Sequence, residues 1–201
     1  MAARLTPLAI TVLALLNERD MHPYEMYQLH VQRRDERLVK IRPGSLYHTV
    51  ERLERQELVA VVGTERAGNR PERTTYRATA AGRAALTEWI GSALSTPIRE
   101  YPAFPLALAE AHNLHPDTVC TSLAERIDLV QKDIDDLDAL REAAEARESP
   151  RVFWFGFEYL RALAVTEAEW LRGLIDEIES GALPWHAPAL SKEHHPETAK
   201  G

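Results

Sequence analysis

Along the first 96 residues the apolar positions change period several times. Leu8, Val12, Leu15 and Leu16 recur at helical spacing and predict a helix over 7–18. Thr6 can cap it, with Pro7 at the first helical position, where a missing N–H costs nothing. Met21-His22-Pro23 breaks the chain, and Pro23 opens a second helix running from Tyr24 to about Arg33. Tyr24, Tyr27 or Met26, and Val31 are its expected inward residues. A charged connection over 33–42 leads to a third helix that starts at Pro43 and runs to about Gln56. Leu46, Val50 and Leu53 share one of its faces. The period then becomes two: 58–62 and 74–79 read as strands, separated by a polar, turn-rich loop in which Gly68 and Asn69 supply the turn. Thr79 caps a fourth helix through Gly82, Ala85, Leu86, Trp89, Ile90 and Leu94. Three helices, a hairpin with a basic loop and a further helix are the element order of a winged helix-turn-helix.

Residues 96–105 contain three prolines and predict a stiff linker at the domain boundary. After a short helix near 105–113, Pro116-Asp117 opens a long helix to about Arg147. Its residues Val119, Leu123, Ile127, Val130, Ile134 and Leu137 approach a heptad seam. Ser149-Pro150 breaks it. A last helix over about 151–180 carries a stripe of Phe153, Phe157, Leu160, Ala164, Leu171, Leu174 and Ile178, interrupted by Glu167. Gly181 and Pro184 end it. The expected fold class is mainly α with a small β-hairpin: a winged helix-turn-helix domain over 1–96, an α-helical, coiled-coil-like dimerisation domain over 97–183, and a disordered tail over 184–201.

Charge changes the picture. The net formal charge of −7 argues against nucleic acid, yet residues 1–90 carry 14 Lys/Arg against 11 Asp/Glu, and the remainder 10 against 20. A mildly basic first half beside an acidic second half suits two functions on one chain. The one cysteine, Cys120, excludes an intramolecular disulfide framework and a Cys-rich zinc site. No apolar run is long enough to suggest a membrane helix, and the expected location is the cytoplasm.

The segment IRPGSLYHTVERLERQELV, followed by GTERAGNRPERTTYRATAAGRAAL, closely resembles the PadR-like transcriptional regulators, and HPYEMYQL at 22–29 resembles the start of their second helix. The resemblance covers roughly residues 5–95; the C-terminal half is similar in layout to the helical region of the longer members. It implies a homodimeric winged-helix repressor that binds double-stranded operator DNA and is released by a small molecule or a stress signal. Where the family commonly has Gly before the first strand, this chain has Gln56-Glu57. One of these bears the cost of a left-handed conformation, or the helix ends differently.

The recognition helix would be the third. Ser45, Tyr47, His48 and Thr49 near its start can bond phosphates or base edges, and Arg42 and Arg52 add charge. Tyr47 could equally be a core aromatic. Arg66, Arg70 and Arg73 lie on the wing, where a basic hairpin tip suits phosphate or minor-groove contact; Arg77, on the strand, could point either way. Tyr24 packs the helix-turn-helix or bonds a phosphate through its hydroxyl. The expectation is a palindromic operator read by a homodimer, with a winged-helix adaptor lacking specific DNA binding as the alternative.

Enzyme chemistry has little support: there is no Gly-rich phosphate loop and no serine nucleophile elbow, and Cys120 sits on the apolar side of its helix. His112 and His115 could share a metal, but lack Asp, Glu or Cys partners at ligand spacing, so no cofactor is expected. Trp89 with Tyr101 and Phe104, and Phe153-Trp154-Phe155, could line an effector pocket or serve as core and dimer interface.

Overall fold

Thr6 starts the fold as expected: its Oγ1 accepts the Ala9 N–H at 3.3 Å, with Pro7 opening helix α1, Pro7–Glu18. The computed structural model describes residues 5–65 and 73–185. The chain divides into two units, Met1–Glu100 and Tyr101–Gly201.

In the first unit α1 is followed by α2 (Pro23–Arg33), α3 (Pro43–Arg55), an antiparallel hairpin of β1 (Val59–Glu65) and β2 (Arg73–Ala78), and α4 (Ala80–Ser95). Val12, Leu13, Met21, Met26, Leu46, Val50, Leu53 and Val59 form the centre of one core. Each fully buried side chain of this size contributes about 1.5–3 kcal/mol. The inward set of α2 differs from the expected one. Tyr24 and Val31 are exposed, Tyr27 is half-buried, and Met26 and His30 point inward. A buried histidine disguises the helical period, because a polar letter stands at an inward position. His30 has Asp35 as a partner on one side of the ring only: Nδ1 lies 2.7 Å from Oδ2, while Nε2 is buried with no hydrogen-bond partner among the described residues.

The break at Met21 is also part of the sheet. Met21 and Tyr76 exchange both backbone hydrogen bonds, at 3.1 and 2.9 Å, so the residue between α1 and α2 extends β2's pairing on its second edge. The expected left-handed residue is Glu57, with φ 57°. It lets α3 turn directly into β1. Thr79 then ties the end of the hairpin to this turn, donating its hydroxyl to the Glu57 carbonyl at 2.8 Å and accepting the Gly82 N–H at 3.0 Å. On α4, Gly82 and Leu86 are buried, whereas Trp89, Ile90 and Leu94 are exposed in this unit.

The second unit contains α5 (Ala103–Ala109), α6 (Pro116–Ala146) and α7 (Phe155–Glu179), with short 3₁₀ turns at Ala111–Asn113 and Arg151–Phe153. Residues 103 and 104, placed in the linker by their prolines, already belong to α5. The near-heptad residues of α6 face α7: Val119, Leu123, Val130, Ile134 and Leu137 are buried and Ile127 half-buried. Glu167 is not an idle interruption of the α7 stripe. Its Oε1 accepts from Arg126 Nε at 2.6 Å, and the Arg126 guanidinium lies 3.4 Å from the centre of the Phe104 ring. This pair separates one apolar cluster, around Leu123 and Leu171, from another around Ile134 and Ala168. Further along, Arg161 donates to both Asp138 oxygens at 2.8 and 2.9 Å, which holds that carboxyl below its ordinary range. Cys120 is buried among apolar neighbours, and burial pushes its thiol up. Gly181, at φ 72°, ends α7. At the start of the expected disordered tail, Trp185 is half-buried and donates to the Leu114 carbonyl at 2.9 Å. Residues 186–201 lie outside the described residues.

Gly82 marks a close approach of α4 to the turn before β1. A Cβ there would stand 2.0 Å from the Leu58 carbonyl oxygen. That oxygen already accepts from the Thr79 N–H at 3.0 Å, so it cannot retreat freely. Gly82→Ala is therefore expected to destabilise the unit by about 1–3 kcal/mol, the usual range for overpacking. Thermal or urea denaturation measures this, and an unchanged midpoint would refute the close approach.

Candidate nucleic-acid interface

The apolar side of α3 is inserted in the core, and this decides what its other side presents. Leu46, Val50 and Leu53 are at most 1% exposed. At about 100° per residue, Ser45 and His48 then face outward, with Tyr47 on one flank. His48 is 83% exposed in its side chain, with Nδ1 3.5 Å from Glu51 Oε2. Arg42 sits exposed just before the helix and makes no side-chain cap. Tyr47 is 44% exposed and is not a core aromatic.

Two of the expected contact residues are placed differently. Thr49 is buried, and its hydroxyl donates to the Ser45 carbonyl at 2.7 Å. It lies only about 60° around the helix from Leu46, on the flank of the apolar face. Arg52 donates to Thr6 Oγ1 at 2.9 Å, tying α3 to the start of α1. Of the wing arginines, Arg73 opens β2 and is exposed; Arg66 and Arg70 lie outside the described residues. Arg77, left open by the sequence, is committed to Asp20 through a two-pronged contact of 2.8 and 2.5 Å, which holds the Asp20 carboxyl low. Arg33 is likewise engaged by Glu18 at 2.6 and 2.8 Å, and Arg19 by Glu25.

Beside the exposed face of α3 lies a cleft of about 410 Å³, lined by His22, Tyr24, Tyr47, Arg73, Thr74 and Tyr76 with Pro23. Tyr24 and Tyr47, from two different helices, thus meet the first residue of β2 at one place. His22, Thr74 and Tyr76 were not singled out in the sequence. The bridge that brings Met21 against Tyr76 is a backbone contact between segments 55 residues apart, and no local pattern signals it. Among the described residues no group of three His, Cys, Asp or Glu side chains could hold a metal, and no helix is long and apolar enough to cross a membrane.

A three-helix core with a hairpin wing and an exposed third helix defines a winged helix-turn-helix protein. Residues 12–88 match the model of the transcriptional regulator PadR-like family. The match lies within the N-terminal unit, and the helical C-terminal unit lies outside it. Similar solved structures cover almost the whole length of their own chains. Bacillus subtilis PadR in complex with operator DNA matches at a TM-score of 0.73 and 16% identity, over 85% of this chain and 98% of that one. The same protein in complex with p-coumaric acid gives 0.72 and 15%, over 87% and 99%. The Vibrio cholerae virulence activator AphA gives 0.65 and 17%, over 87% and 99%. No curated protein matches the sequence.

The placement of the two histidines of α2 and α3 can be read chemically. Diethylpyrocarbonate at neutral pH is expected to modify the exposed His48 quickly and the buried His30 only on unfolding. Peptide mapping by mass spectrometry measures both rates, and equal rates in the folded protein would contradict this orientation of α2 and α3.

Proposed function

We propose that this protein is a homodimeric transcriptional regulator that binds a palindromic operator through α3 of each subunit and represses until a small molecule or stress signal releases it. The observation that carries this reading is α3 itself. It buries Leu46, Val50 and Leu53 while offering Arg42, Ser45, Tyr47 and His48 on an outward face near its N-terminal end. A major groove admits a helix presented in this way, and the first residues of such a helix reach base edges. The Bacillus subtilis protein of similar fold was solved with operator DNA and with p-coumaric acid, which supports an operator and a small-molecule effector here.

The dimer is supported by α7. Phe155, Tyr159, Leu163 and Trp170 are each more than half exposed on the second unit taken alone. They recur at spacings of four, four and seven residues, so they form one stripe along the helix, apart from the side packed on α6. An apolar stripe of this extent marks an interface, and a two-fold pairing presents the same stripe from both copies. Leu163→Lys combined with Tyr159→Lys is expected to convert a dimer into a monomer in sedimentation equilibrium. A variant that stays dimeric would move the interface off this stripe.

The operator is tested by selection from randomised duplex DNA. In a two-fold dimer the recognition helices lie about 34 Å apart or a multiple of it, so the enriched motif is expected to be palindromic with half-sites one or two turns apart. His48→Ala should relax preference at one symmetric pair of positions, at a cost of about 1–3 kcal/mol. Thr49→Val, whose hydroxyl is turned back into its own helix, should leave the motif unchanged. A motif without two-fold symmetry, or no enriched motif, would favour an adaptor that retains the winged-helix fold without operator recognition.

A further inference from the structure

We propose that His22 is a phosphate-binding residue: its imidazole, held in one tautomer, donates from Nε2 to a single backbone phosphate of the operator seated in the cleft with Tyr24, Tyr47 and Arg73. The inference rests on the DNA-binding reading above and adds to it a site outside the recognition helix.

The cleft, about 410 Å³, is lined by one guanidinium, one imidazole, three phenols and a threonine hydroxyl, with no carboxylate among the lining residues. Every polar side chain there can donate a hydrogen bond, which is the chemistry an anion requires. Of the acids near it, Glu25 pairs with Arg19 and Glu51 lies 3.5 Å from His48, while Glu54 and Glu51 are close enough for their charges to act on Tyr76. Burial, together with the charges of Glu54 and Glu51, raises the Tyr76 phenol and keeps it a donor. Arg73 has no carboxylate partner among the described residues, unlike Arg19, Arg33 and Arg77.

His22 is constrained in two ways. Its Nδ1 accepts the Glu25 N–H at 3.1 Å, so that nitrogen carries the lone pair and the ring proton resides on Nε2. Its ring is stacked with Tyr24, with centroids 6.3 Å apart and planes 21° from parallel. Nε2 finds no acceptor among the described residues. The helix cap thus selects the tautomer, the stack fixes the plane, and the donor is left to the cleft. Pro23 behind it has no N–H to offer, so the imidazole stands where the backbone cannot donate. A phosphodiester carries one negative charge and several acceptor lone pairs. Arg73 supplies the opposite charge, while neutral His22 supplies direction.

This division of labour is measurable. His22→Asn keeps a side-chain oxygen able to cap α2 but removes the Nε2 donor. Wild type, His22→Asn and Arg73→Ala are compared by fluorescence anisotropy across a salt series, on the duplex enriched by selection. The duplex is also prepared as a set with one neutral methylphosphonate at each backbone position in turn. His22→Asn is expected to bind about tenfold more weakly with the thermal midpoint and salt slope unchanged, since a neutral donor displaces no counterion. Arg73→Ala should reduce the slope by about two for a dimer. One methylphosphonate position per half-site should weaken the wild type more than it weakens His22→Asn, which has only the Arg73 contact left to lose there. Binding by His22→Asn equal to the wild type, or a loss that adds to that of every methylphosphonate position, overturns the role of His22 while leaving DNA binding intact. A wild-type protein that retains no duplex overturns the DNA reading itself, and this inference with it.

Discussion

Leu46, Val50 and Leu53 pin α3 into the core between α1, α2 and β1, and the rest of the N-terminal unit is arranged around that insertion. Because the three lie on one side of the helix, their burial sets its rotation as well as its position. Ser45 and His48 face outward for this reason alone, and Thr49 turns inward for the same one. The turn that follows is equally constrained. Glu57 accepts a positive φ so that β1 can start at once, and the Leu58 carbonyl becomes the point on which Thr79 and Gly82 close. The wing strands are therefore held to the end of α3 by the Glu57 and Leu58 carbonyls, which take the hydroxyl of Thr79 and, at Leu58, its N–H as well.

Electrostatics in this unit separate structural cations from available ones. Arg33 and Arg77 are held by two-pronged carboxylate contacts, and Arg52 by a threonine hydroxyl. Exposed pairs of this kind contribute little stability, since solvent screens them. Their effect is to occupy guanidinium groups at defined places. Arg42, at the N-cap of α3, and Arg73, in the cleft, stand outside these contacts.

The C-terminal unit solves a different problem. α6 and α7 pack along most of their length, but the seam contains a charged pair, Arg126 with Glu167. Both groups are about a third exposed, so each keeps part of its hydration. Phe104 lies against the guanidinium and brings α5 into the same contact. The pair ties α6 to α7 at this point of the seam, as Arg161 with Asp138 does further along.

Much of the fold was legible in the chain. Helix limits followed from Thr6, Pro7, Thr79, Pro116 and Gly181, because caps and breakers act within a few residues of themselves. The buried face of α3 and the seam of α6 followed from apolar spacing, and the left-handed residue was narrowed to Gln56 or Glu57 by the missing glycine. What sequence spacing left undecided depends on contacts between distant segments. Only the tertiary structure turned Met26 and His30 rather than Val31 into the core, because the Asp35 carboxylate meets the imidazole across a turn. It assigned Arg77 to Asp20 and Arg126 to Glu167, pairings across 57 and 41 residues that no local period encodes. It also assembled the cleft of His22, Tyr24, Tyr47 and Arg73, because Met21 hydrogen-bonds to Tyr76 and so brings the start of α2 against β2. Local sequence determines which helices form and which side they bury; long-range backbone pairing determines which of their remaining side chains meet.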